Sequence, residues 1–315
     1  MTTTAMVRLV ACGSVDDGKS TLIGRLLVQT DSIPDDQVEA ARRTRRGGSI
    51  VPEGEVDYSL ITDGLEAERE QGITIDVAYR YFNLRNGRRV VIADAPGHEQ
   101  YTRNMAVAAS NADIAFLLVD AARGVRPQTH RHLTVCALMG VRSIVLAINK
   151  LDAVGFEQSA FDALVEEVMA TARRLDLADV SAIPVSALDG DNVVDRSERT
   201  AWYDGPTVLE YLEQWTPAAP AEDQPLRFPV QLITRAENDF RGYAGTVVSG
   251  SVRPGDRVVV ADSGIPATVD RLVTFDGDLD EAVQGDAVTI TLKEEVDVRR
   301  GDVISGAADF AQPAD

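Results

Sequence analysis

Short apolar runs alternate with longer amphipathic stretches through residues 6–215. The runs are of strand length and comprise Val7–Cys12, Val90–Ala93, Ile114–Val119, Ile144–Ile148 and Val180–Val185. The stretches between them predict helices at Ser20–Val28, Tyr101–Ala109, Thr129–Met139, Phe161–Arg174 and Thr207–Trp215. Such alternation is typical of βαβ units, so it predicts an α/β domain with a mostly parallel sheet and helices on both faces.

An Asn-Gly pair interrupts two β-type runs near the middle of this region. Asn86 and Gly87 lie between Val77–Leu84 and Arg88–Asp94. Because Asn-Gly favours the tight turns of hairpins, we expect one edge strand to be antiparallel to the rest.

The pattern changes after Trp215. Residues 216–226 form a Pro/Ala-rich polar segment, which predicts a linker. Short β-type runs punctuated by glycine follow and predict a small all-β barrel: Val230–Ile233, Gly245–Val248, Arg257–Val260, Ala267–Val273 and Ala287–Leu292. The predicted organisation is an α/β domain at 1–215, a linker at 216–226 and a β-barrel domain at 227–315.

Residues 31–72 show neither the alternating pattern of a strand nor the amphipathic pattern of a helix. It contains a basic cluster, Arg42, Arg43, Arg45 and Arg46, followed by Gly47 and Gly48. A solvated loop and a loop that contacts phosphate or a partner both remain open.

Composition narrows the function classes. The 315 residues are 44% hydrophobic, which is enough for a packed core. The net charge of −19 argues against a nucleic-acid partner held mainly by phosphate contacts. No apolar run has the ~18 residues of a membrane helix, and residues 1–5 lack a signal-peptide pattern. Cys12 and Cys136 sit in apolar surroundings and are interpreted as reduced core residues. We therefore expect a cytoplasmic protein with no membrane and no nucleic-acid partner.

A glycine-rich motif joins the first predicted strand to the first predicted helix. It matches G-x-x-x-x-G-K-[ST], and with the next residue it gives the predicted nucleotide-binding set Gly13, Ser14, Val15, Asp16, Asp17, Gly18, Lys19, Ser20 and Thr21. The glycines allow a tight turn whose amides, together with the positive end of the helix, can surround an anion. Lys19 then neutralises phosphate oxygens, and the Ser20 hydroxyl serves a Mg²⁺ site.

A second motif follows the strand Val90–Ala93 and consists of Asp94, Ala95, Pro96 and Gly97. Its aspartate lies at the carboxyl end of a strand, where open α/β sheets bind ligands, and can hold Mg²⁺. Gly97 can donate its N–H to a γ-phosphate. The next residue, His98, is interpreted either as the group that orients the attacking water or as a surface histidine.

A third motif selects the base. Asn149, Lys150 and Asp152 follow the strand Ile144–Ile148, and a carboxylate can accept two hydrogen bonds from guanine but none from adenine. Asn149 can meet N7, and the stem of Lys150 can cover the base. Ser186, Ala187 and Leu188 end Val180–Val185, where a backbone N–H could meet guanine O6. The motifs in this order predict GTP and disfavour a P-loop ATPase or kinase.

With these motifs the chain resembles the translation-factor superfamily of GTPases, and in particular the GTPase (large) subunit of bacterial heterodimeric sulfate adenylyltransferase (ATP sulfurylase). Elongation factors usually carry G-H-V-D-H-G-K-T, whereas this chain has Asp17 and Ser20 in the corresponding places. The more specific similarity lies in residues 63–82 and 191–194, Ser197, and residues 202–207, 227–231 and 239–246. Members carry a third domain, another β-barrel, where this chain ends at Asp315, and some continue into an adenylylsulfate kinase domain. The resemblance thus implies a piece of a longer protein.

The resemblance also implies an activity and a partner. It implies GTP and GDP as ligands with Mg²⁺, and it implies that Thr74 completes the Mg²⁺ shell when the γ-phosphate is present, so that Thr74, Lys19 and His98 serve hydrolysis. It further implies a small catalytic subunit of the ATP pyrophosphatase type, which makes adenylyl sulfate and pyrophosphate from ATP and sulfate while GTP hydrolysis pulls that reaction forward. The alternative is an elongation-factor-like translational GTPase.

Overall fold

The computed structural model describes residues 6–44, 51–52, 54–62, 76–216, 224–236, 240–261 and 263–308. The chain divides after Thr216 into two compact units, Met1–Thr216 and Pro217–Asp315. Each unit is described by itself.

A six-stranded sheet forms the centre of the first unit. Its strands are β1 (Val7–Gly13), β2 (Ala78–Asn83), β3 (Arg89–Asp94), β4 (Ile114–Asp120), β5 (Ser143–Asn149) and β6 (Asp179–Pro184). They lie in the order β2-β3-β1-β4-β5-β6, and every neighbouring pair is parallel except β2 and β3. The carboxyl ends of β1, β3, β4, β5 and β6 therefore share one edge, which is where ligands bind in such sheets.

Helices cover both faces of this sheet. They are α1 (Lys19–Gln29), α2 (Asp35–Arg43), α3 (Ser59–Thr62), α4 (Thr102–Ala109), α5 (Pro127–Leu138), α6 (Gln158–Arg174) and α7 (Val208–Gln214). Alternate residues of β1 enter different cores. Leu9 packs with Leu26 of α1 on one face, whereas Val10 packs with Leu133 of α5 on the other. The predicted α/β class is confirmed.

The predicted hairpin is present at the sheet edge. The Leu84 N–H donates to the Arg88 carbonyl at 2.8 Å, and Gly87 has φ 82° in the turn. Such a turn requires a residue in the left-handed conformation, which glycine adopts without strain. β2 accordingly pairs antiparallel with β3.

Part of the stretch left unassigned by the sequence pattern is helical. Arg42 and Arg43, which the sequence placed in a loop, lie in the last turn of α2 and pair with Glu39 at 3.4 and 3.9 Å. Of the residues in α2, only Ala41 is buried. Such a polar helix lacks the apolar period that identifies helices from sequence. Arg45 and Arg46 lie outside the described residues.

The second unit is a β-barrel. Its strands are β7 (Arg227–Ala236), β8 (Phe240–Thr246), β9 (Ser251–Val252), β10 (Arg257–Val260), β11 (Ile265–Thr274), β12 (Gly277–Leu279), β13 (Ala282–Val283), β14 (Ala287–Leu292) and β15 (Val303–Gly306). The order β10-β15-β7-β8-β14-β11 closes on itself because β10 also pairs with β11. Closure leaves no free edge among these six strands. Leu226, at the end of the predicted linker, is buried in the barrel core with Phe228 and Tyr243.

Both cysteines are free and buried in one core of the first unit. A hydrogen bond with Cys136, and then burial, raise the pKa of the Cys12 thiol well above its usual value. Among the described residues, none of the helices has the length and apolarity needed to cross a bilayer.

Candidate functional site

The turn between β1 and α1 is closed by one of its own acidic side chains. Asp17 is buried, and its Oδ2 accepts a hydrogen bond of 2.6 Å from the Ser14 N–H. Burial raises the pKa of Asp17, although the charge of Lys19 and the Ser14 hydrogen bond oppose this shift. Gly18 has φ 91°, and a Cβ there would collide with the side-chain amide of Asn149. Position 18 therefore requires glycine for its left-handed backbone and for its contact with a second loop.

Lys19 is the first residue of α1 and is only 6% exposed. Its Nζ donates hydrogen bonds to the carbonyl oxygens of Gly13 and Ser14 at 3.0 and 2.9 Å. Burial lowers the pKa of Lys19, while the carboxylates of Asp94 and Asp17 oppose the shift. No side chain of the described residues caps the N-terminus of α1. An ammonium group and the amides of a helix N-terminus thus meet at one point, an arrangement that binds phosphate.

Asp94 lies beside this turn because β1 and β3 are parallel. Ala11 is opposite Asp94 in the register, and the Ala95 N–H donates to the Ala11 carbonyl at 3.1 Å. The Asp94 carboxylate is buried and close enough to Lys19 to affect its pKa. Ser20 follows Lys19 in α1. A hydroxyl and a carboxylate are the hard oxygen donors that Mg²⁺ takes in combination with phosphate oxygens.

The described ranges contain no group of three or more His, Cys, Asp or Glu side chains that could hold a metal ion. The oxygen donors of Ser20 and Asp94 fit Mg²⁺ bound together with a phosphate ligand. Thr74, the third predicted metal ligand, lies outside the described residues.

The segment after Asp94 runs against the phosphate turn. A Cβ at Gly97 would lie 2.7 Å from the Gly13 carbonyl oxygen and 2.7 Å from Lys19 Nζ. Only glycine allows so close an approach. His98 is half-exposed, and its Nδ1 accepts a hydrogen bond of 3.3 Å from the Gln100 N–H. Because Nδ1 acts as an acceptor, the neutral ring carries its proton on Nε2.

Asn149 joins the phosphate turn to the loop after β6. Its Nδ2 donates to the Asp17 carbonyl at 2.7 Å, and its Oδ1 accepts from the Ala187 N–H at 2.9 Å. Asn149 is 1% exposed, so both hydrogen bonds are shielded from water. Replacing either partner would leave a buried polar atom unsatisfied, which is costly. Asn149 is thus fixed by two loops that are distant in sequence.

Lys150 bridges the same turn to the end of β4. It has φ 58°, and its Nζ donates to the Asp16 carbonyl at 2.5 Å and lies 2.8 Å from Asp120 Oδ2. Asp120 also accepts hydrogen bonds from the Ala122 and Arg123 N–H groups. Burial opposes the charged form of Asp120, but the hydrogen bond and charge of Lys150, together with these two backbone hydrogen bonds, lower its pKa.

Asp152 lies in a short 3-10 turn, Leu151–Val154, directly after β5. Its Oδ1 is buried and has no hydrogen-bond partner within the part of the chain that the structure describes. A buried carboxylate oxygen of this kind is costly unless a donor meets it. The two adjacent donors of a guanine base would satisfy it.

The loop after β6 completes the site and narrows the predicted backbone donor to one residue. The Ser186 and Ala187 N–H groups already donate to Asp191 and Asn149, so of these three residues it is Leu188 whose N–H is available for guanine O6. Ser186 is fully buried, and its Oγ accepts from the Asp189 N–H at 3.2 Å. The carbonyl oxygens of Ala187 and Leu188 accept hydrogen bonds from Arg25.

The structure brings the three predicted motifs together at the carboxyl edge of the sheet. Within them Ala95 and Pro96 are buried, whereas Val15 and Thr21 are half-exposed. His130 and His132 lie in α5, outside these motifs. His130 Nδ1 pairs with Thr171 Oγ1 at 3.0 Å, and His132 is fully buried.

Sequence reasoning missed three residues that support the site: Asp120, Arg25 and Arg199. Asp120 follows a strand just as Asp94 does, and that signal could have identified it. Arg25 is a lone charge in an otherwise apolar helix segment, which was a weaker signal. Arg199 pairs with Asp189 at 2.8 Å and with Asp191, contacts that no sequence pattern indicates.

Comparisons with known proteins agree with this geometry. The model of the elongation factor Tu GTP-binding domain matches residues 4–218, and that of elongation factor Tu domain 2 matches residues 243–305. Among solved structures, Sup35 complexed with GMPPNP has a TM-score of 0.51 at 24% identity and covers 98% of this chain and 69% of its own. The Ski7 GTPase-like domain of S. cerevisiae has a TM-score of 0.56 at 17% identity, and the match covers 96% of this chain and 76% of the Ski7 chain. These two likenesses concern the fold alone.

Curated relatives are much more similar. Sulfate adenylyltransferase subunit 1 of Yersinia pseudotuberculosis (strain IP 31758) is 52% identical over 312 residues, which are 98% of this chain and 64% of that protein. The bifunctional enzyme NodQ of Rhizobium sp. (strain N33) is 51% identical over 311 residues, 99% of this chain and 48% of that protein. The chain thus spans between about half and two thirds of the length of these relatives, and the resemblance seen in its sequence motifs is confirmed. With its first unit matched almost completely, the chain belongs to the family of the elongation factor Tu GTP-binding domain.

Proposed function

We propose that this chain binds GTP at the carboxyl edge of its sheet, hydrolyses it to GDP and phosphate, and does so as the GTPase subunit of a sulfate adenylyltransferase. The guanine end of the site carries the nucleotide part of the proposal. The identity of about one half to sulfate adenylyltransferase subunits, over nearly the whole chain, supports the second part.

Recognition of guanine rests on Asp152 and the Leu188 N–H. The buried Oδ1 of Asp152 lacks a partner among the described residues and would accept from guanine. Adenine has no donor at the corresponding positions, so its binding would leave this oxygen buried and unsatisfied. A site built around a buried polar group rejects ligands that leave it unpaired by large factors.

The phosphates would lie at the N-terminus of α1. Lys19 donates to the Gly13 and Ser14 carbonyls and would exchange those bonds for bonds to phosphate oxygens. Ser20 and Asp94 would hold Mg²⁺, with Thr74 as the proposed third ligand. When bound, Mg²⁺ neutralises charge on the phosphate oxygens.

His98 is the proposed residue that orients the attacking water. It follows Gly97, whose backbone lies against Lys19. The backbone N–H of Gln100 donates to Nδ1 and holds the His98 ring in place. The other ring nitrogen, Nε2, then remains to bind the water. The reaction needs no covalent intermediate: water attacks the γ-phosphorus, and the bond to the β–γ bridging oxygen breaks.

Coupling to sulfate activation requires a partner. The name "subunit 1" of the relatives implies a second subunit, and we propose that it is a catalytic subunit of the ATP pyrophosphatase type. That partner would form adenylyl sulfate and pyrophosphate from ATP and sulfate in the cytoplasm. The reaction is uphill, and GTP hydrolysis on this chain would drive it. The translational alternative is supported by the elongation factor Tu family models and by the shared fold, but Sup35 and Ski7 are only 24% and 17% identical to this chain.

The nucleotide proposal is tested by competition. GDP, IDP, XDP and ADP are each titrated against a fluorescent guanine nucleotide on the purified chain. We expect GDP to bind most tightly, IDP more weakly because it lacks the 2-amino donor, and ADP least. Equal affinities for GDP and ADP would contradict the assignment.

The coupling proposal needs the full-length protein reconstituted with its second subunit. Phosphate release and adenylyl sulfate are measured together, with ATP and sulfate present. We expect each activity to stimulate the other, since two sites exchange free energy through conformations that the ligands of both sites favour. If a non-hydrolysable GTP analogue supports as much net adenylyl sulfate as GTP does, hydrolysis is not the driving step.

A further inference from the structure

Arg25 is a buried cation in the middle of α1. It is 7% exposed and lies in the sequence between Gly24 and Leu26, which are also buried. A charge in such surroundings is costly unless hydrogen bonds and countercharges compensate for it. The contacts of the Arg25 side chain therefore indicate its role.

One side of the guanidinium holds the loop after β6. Nε donates to the Ala187 carbonyl at 2.7 Å, and Nη2 donates to the Leu188 carbonyl. The loop then turns around the guanidinium at Gly190, where φ is 101° and a Cβ would lie 2.7 Å from Arg25 Nη1. Two consecutive carbonyls are thus fixed by one planar group, a geometry for which arginine is suited and lysine is not.

The other side of the guanidinium lies on an aromatic ring. The Cζ atom of Arg25 is 4.2 Å from the centroid of the Tyr58 ring, a cation–π distance. Tyr58 is itself held close to α1, because a Cβ at Gly24 would collide with the Tyr58 carbonyl. Burial lowers the pKa of Arg25, and the nearby groups Tyr58, Asp189 and Asp191 oppose that shift.

We propose that Arg25 is a positioning residue for guanine recognition, which sets the loop 186–190 relative to the phosphate turn and is itself held in place by Tyr58. This inference rests on the proposed GTP site. Lys19 and Arg25 lie on the same rigid helix, six residues or about 9 Å apart along its axis. One helix therefore fixes the distance between the phosphate end and the base end of the site.

The loop backbone is what Arg25 controls. With the Ala187 N–H taken by Asn149, the donor left for guanine O6 is the Leu188 N–H. The Ala187 carbonyl and the Leu188 N–H belong to one planar peptide group, so fixing that carbonyl sets the direction in which the N–H points, and the bond to the Leu188 carbonyl holds the next peptide group. A loop that is already ordered loses less entropy when the base binds, and this raises affinity without adding a contact.

The test compares GDP and IDP on the purified chain. Both bases carry O6, and only guanine carries the 2-amino group that faces Asp152. We expect Arg25→Ala to weaken both nucleotides by the same factor, about tenfold or more, as for the loss of one or two hydrogen bonds. The GDP/IDP ratio should stay at its wild-type value, and the loss should lie mainly in faster dissociation.

Arg88 offers a matched control. Its Nη1 donates to the Trp215 carbonyl at 2.6 Å, and its Cζ lies 5.9 Å from the Trp215 ring centroid. It thus makes the same kinds of contact as Arg25, in the same unit but outside the motifs of the site. We expect Arg88→Ala to lower the melting temperature of the first unit and to leave GDP and IDP affinity unchanged.

Two further variants keep the proposal testable if Arg25→Ala does not fold. Tyr58→Leu retains an apolar side chain but removes the ring face, and it should weaken GDP and IDP equally, by less than Arg25→Ala. Arg25→Lys keeps the charge without the planar fork and should recover only part of the affinity.

The outcomes separate this inference from the proposed function. If the wild-type chain does not bind GDP, the GTP site itself is wrong. If it binds GDP, and the Arg25 and Tyr58 variants bind GDP as tightly as wild type while melting earlier, Arg25 is only structural. A GDP/IDP ratio that changes in Arg25→Ala would place its effect at Asp152 and also overturn the proposal.

Discussion

At the phosphate end of the site, Asp17 and Lys19 bond to backbone atoms three to six residues away. At the base end, Asn149, Lys150 and Arg25 bond to backbone atoms 38 to 163 residues away. The contacts at the phosphate end therefore form largely within the turn between β1 and α1. The contacts at the base end form only when β1, β5, β6 and α1 are all in place. Nucleotide specificity should therefore depend more on the folded core than phosphate binding does.

The largest expected effect is a change of base preference at the base end. Asp152→Asn replaces an acceptor by a group that can donate to the 2-oxo group of xanthine. We expect the ratio of GDP to XDP affinity to shift by roughly 10⁴-fold, measured by competition with a fluorescent nucleotide. Asp162→Asn, an exposed aspartate on α6, serves as the control. An unchanged ratio in Asp152→Asn would remove the guanine assignment.

Loss of the lysine should act on every nucleotide alike. Lys19→Ala removes the buried ammonium of the phosphate turn, and we expect affinity for GDP, IDP and XDP to fall together by about 100-fold to 1000-fold. Lys293→Ala in the barrel unit is the control. A loss that depended on the base would mean that the two ends are not separable in this way.

His98 should affect turnover more than binding. A side chain that positions water acts on the transition state, so we expect His98→Ala to lower the GTP hydrolysis rate by about 100-fold and to leave GTP affinity near wild type. Single-turnover phosphate release and equilibrium binding measure the two quantities. His130→Ala is the control, because His130 bonds to Thr171 outside the site. A weaker GTP affinity with unchanged turnover would contradict this role.

Asn149 connects the two ends, so its loss should be intermediate. Asn149→Ala leaves the Asp17 carbonyl and the Ala187 N–H without their partner, and we expect GDP affinity to fall by about 10-fold to 100-fold. Asn192 is a matched control: it is also buried and bonds to Pro184 and Thr200. If Asn192→Ala weakened GDP as much, the effect would be one of general stability.

The smallest effect concerns pH and the core below the phosphate turn. Burial lowers the pKa of His132 from 6.5 to about 3, with the charges of Lys19 and Arg131 adding to the shift. Since the unfolded chain binds this proton first, the stability that His132 provides is present above about pH 6.5 and is lost as pH falls toward 3. The slope from this residue is at most about 1.4 kcal/mol per pH unit.

Urea unfolding between pH 7 and 5, followed by tryptophan fluorescence, measures this slope. Both tryptophans, Trp202 and Trp215, lie in the first unit and report on it. His132→Gln should flatten the dependence. A wild-type stability that rises as pH falls would show that the imidazole is not buried neutral.

The amino-acid sequence determined what depends on residues close together in the chain. Apolar periodicity gave the strands and helices of the α/β unit, Asn86–Gly87 gave the antiparallel edge, and the turn ending in Lys19 identified the phosphate end. These features depend on local backbone and side-chain preferences, which can be predicted from the residue types alone. The polar helix α2 was missed for the same reason, because it carries no apolar stripe.

Only the tertiary structure decided how the base end is supported. Asn149 takes the Ala187 N–H, Lys150 reaches Asp120, and Arg25 fixes the loop that follows β6. Each contact joins segments whose approach is set by strand order and by packing on the two faces of the sheet. Hydrogen bonds depend on distances of a few tenths of an ångström, and no spacing along the chain specifies those distances between loops that are far apart in the sequence.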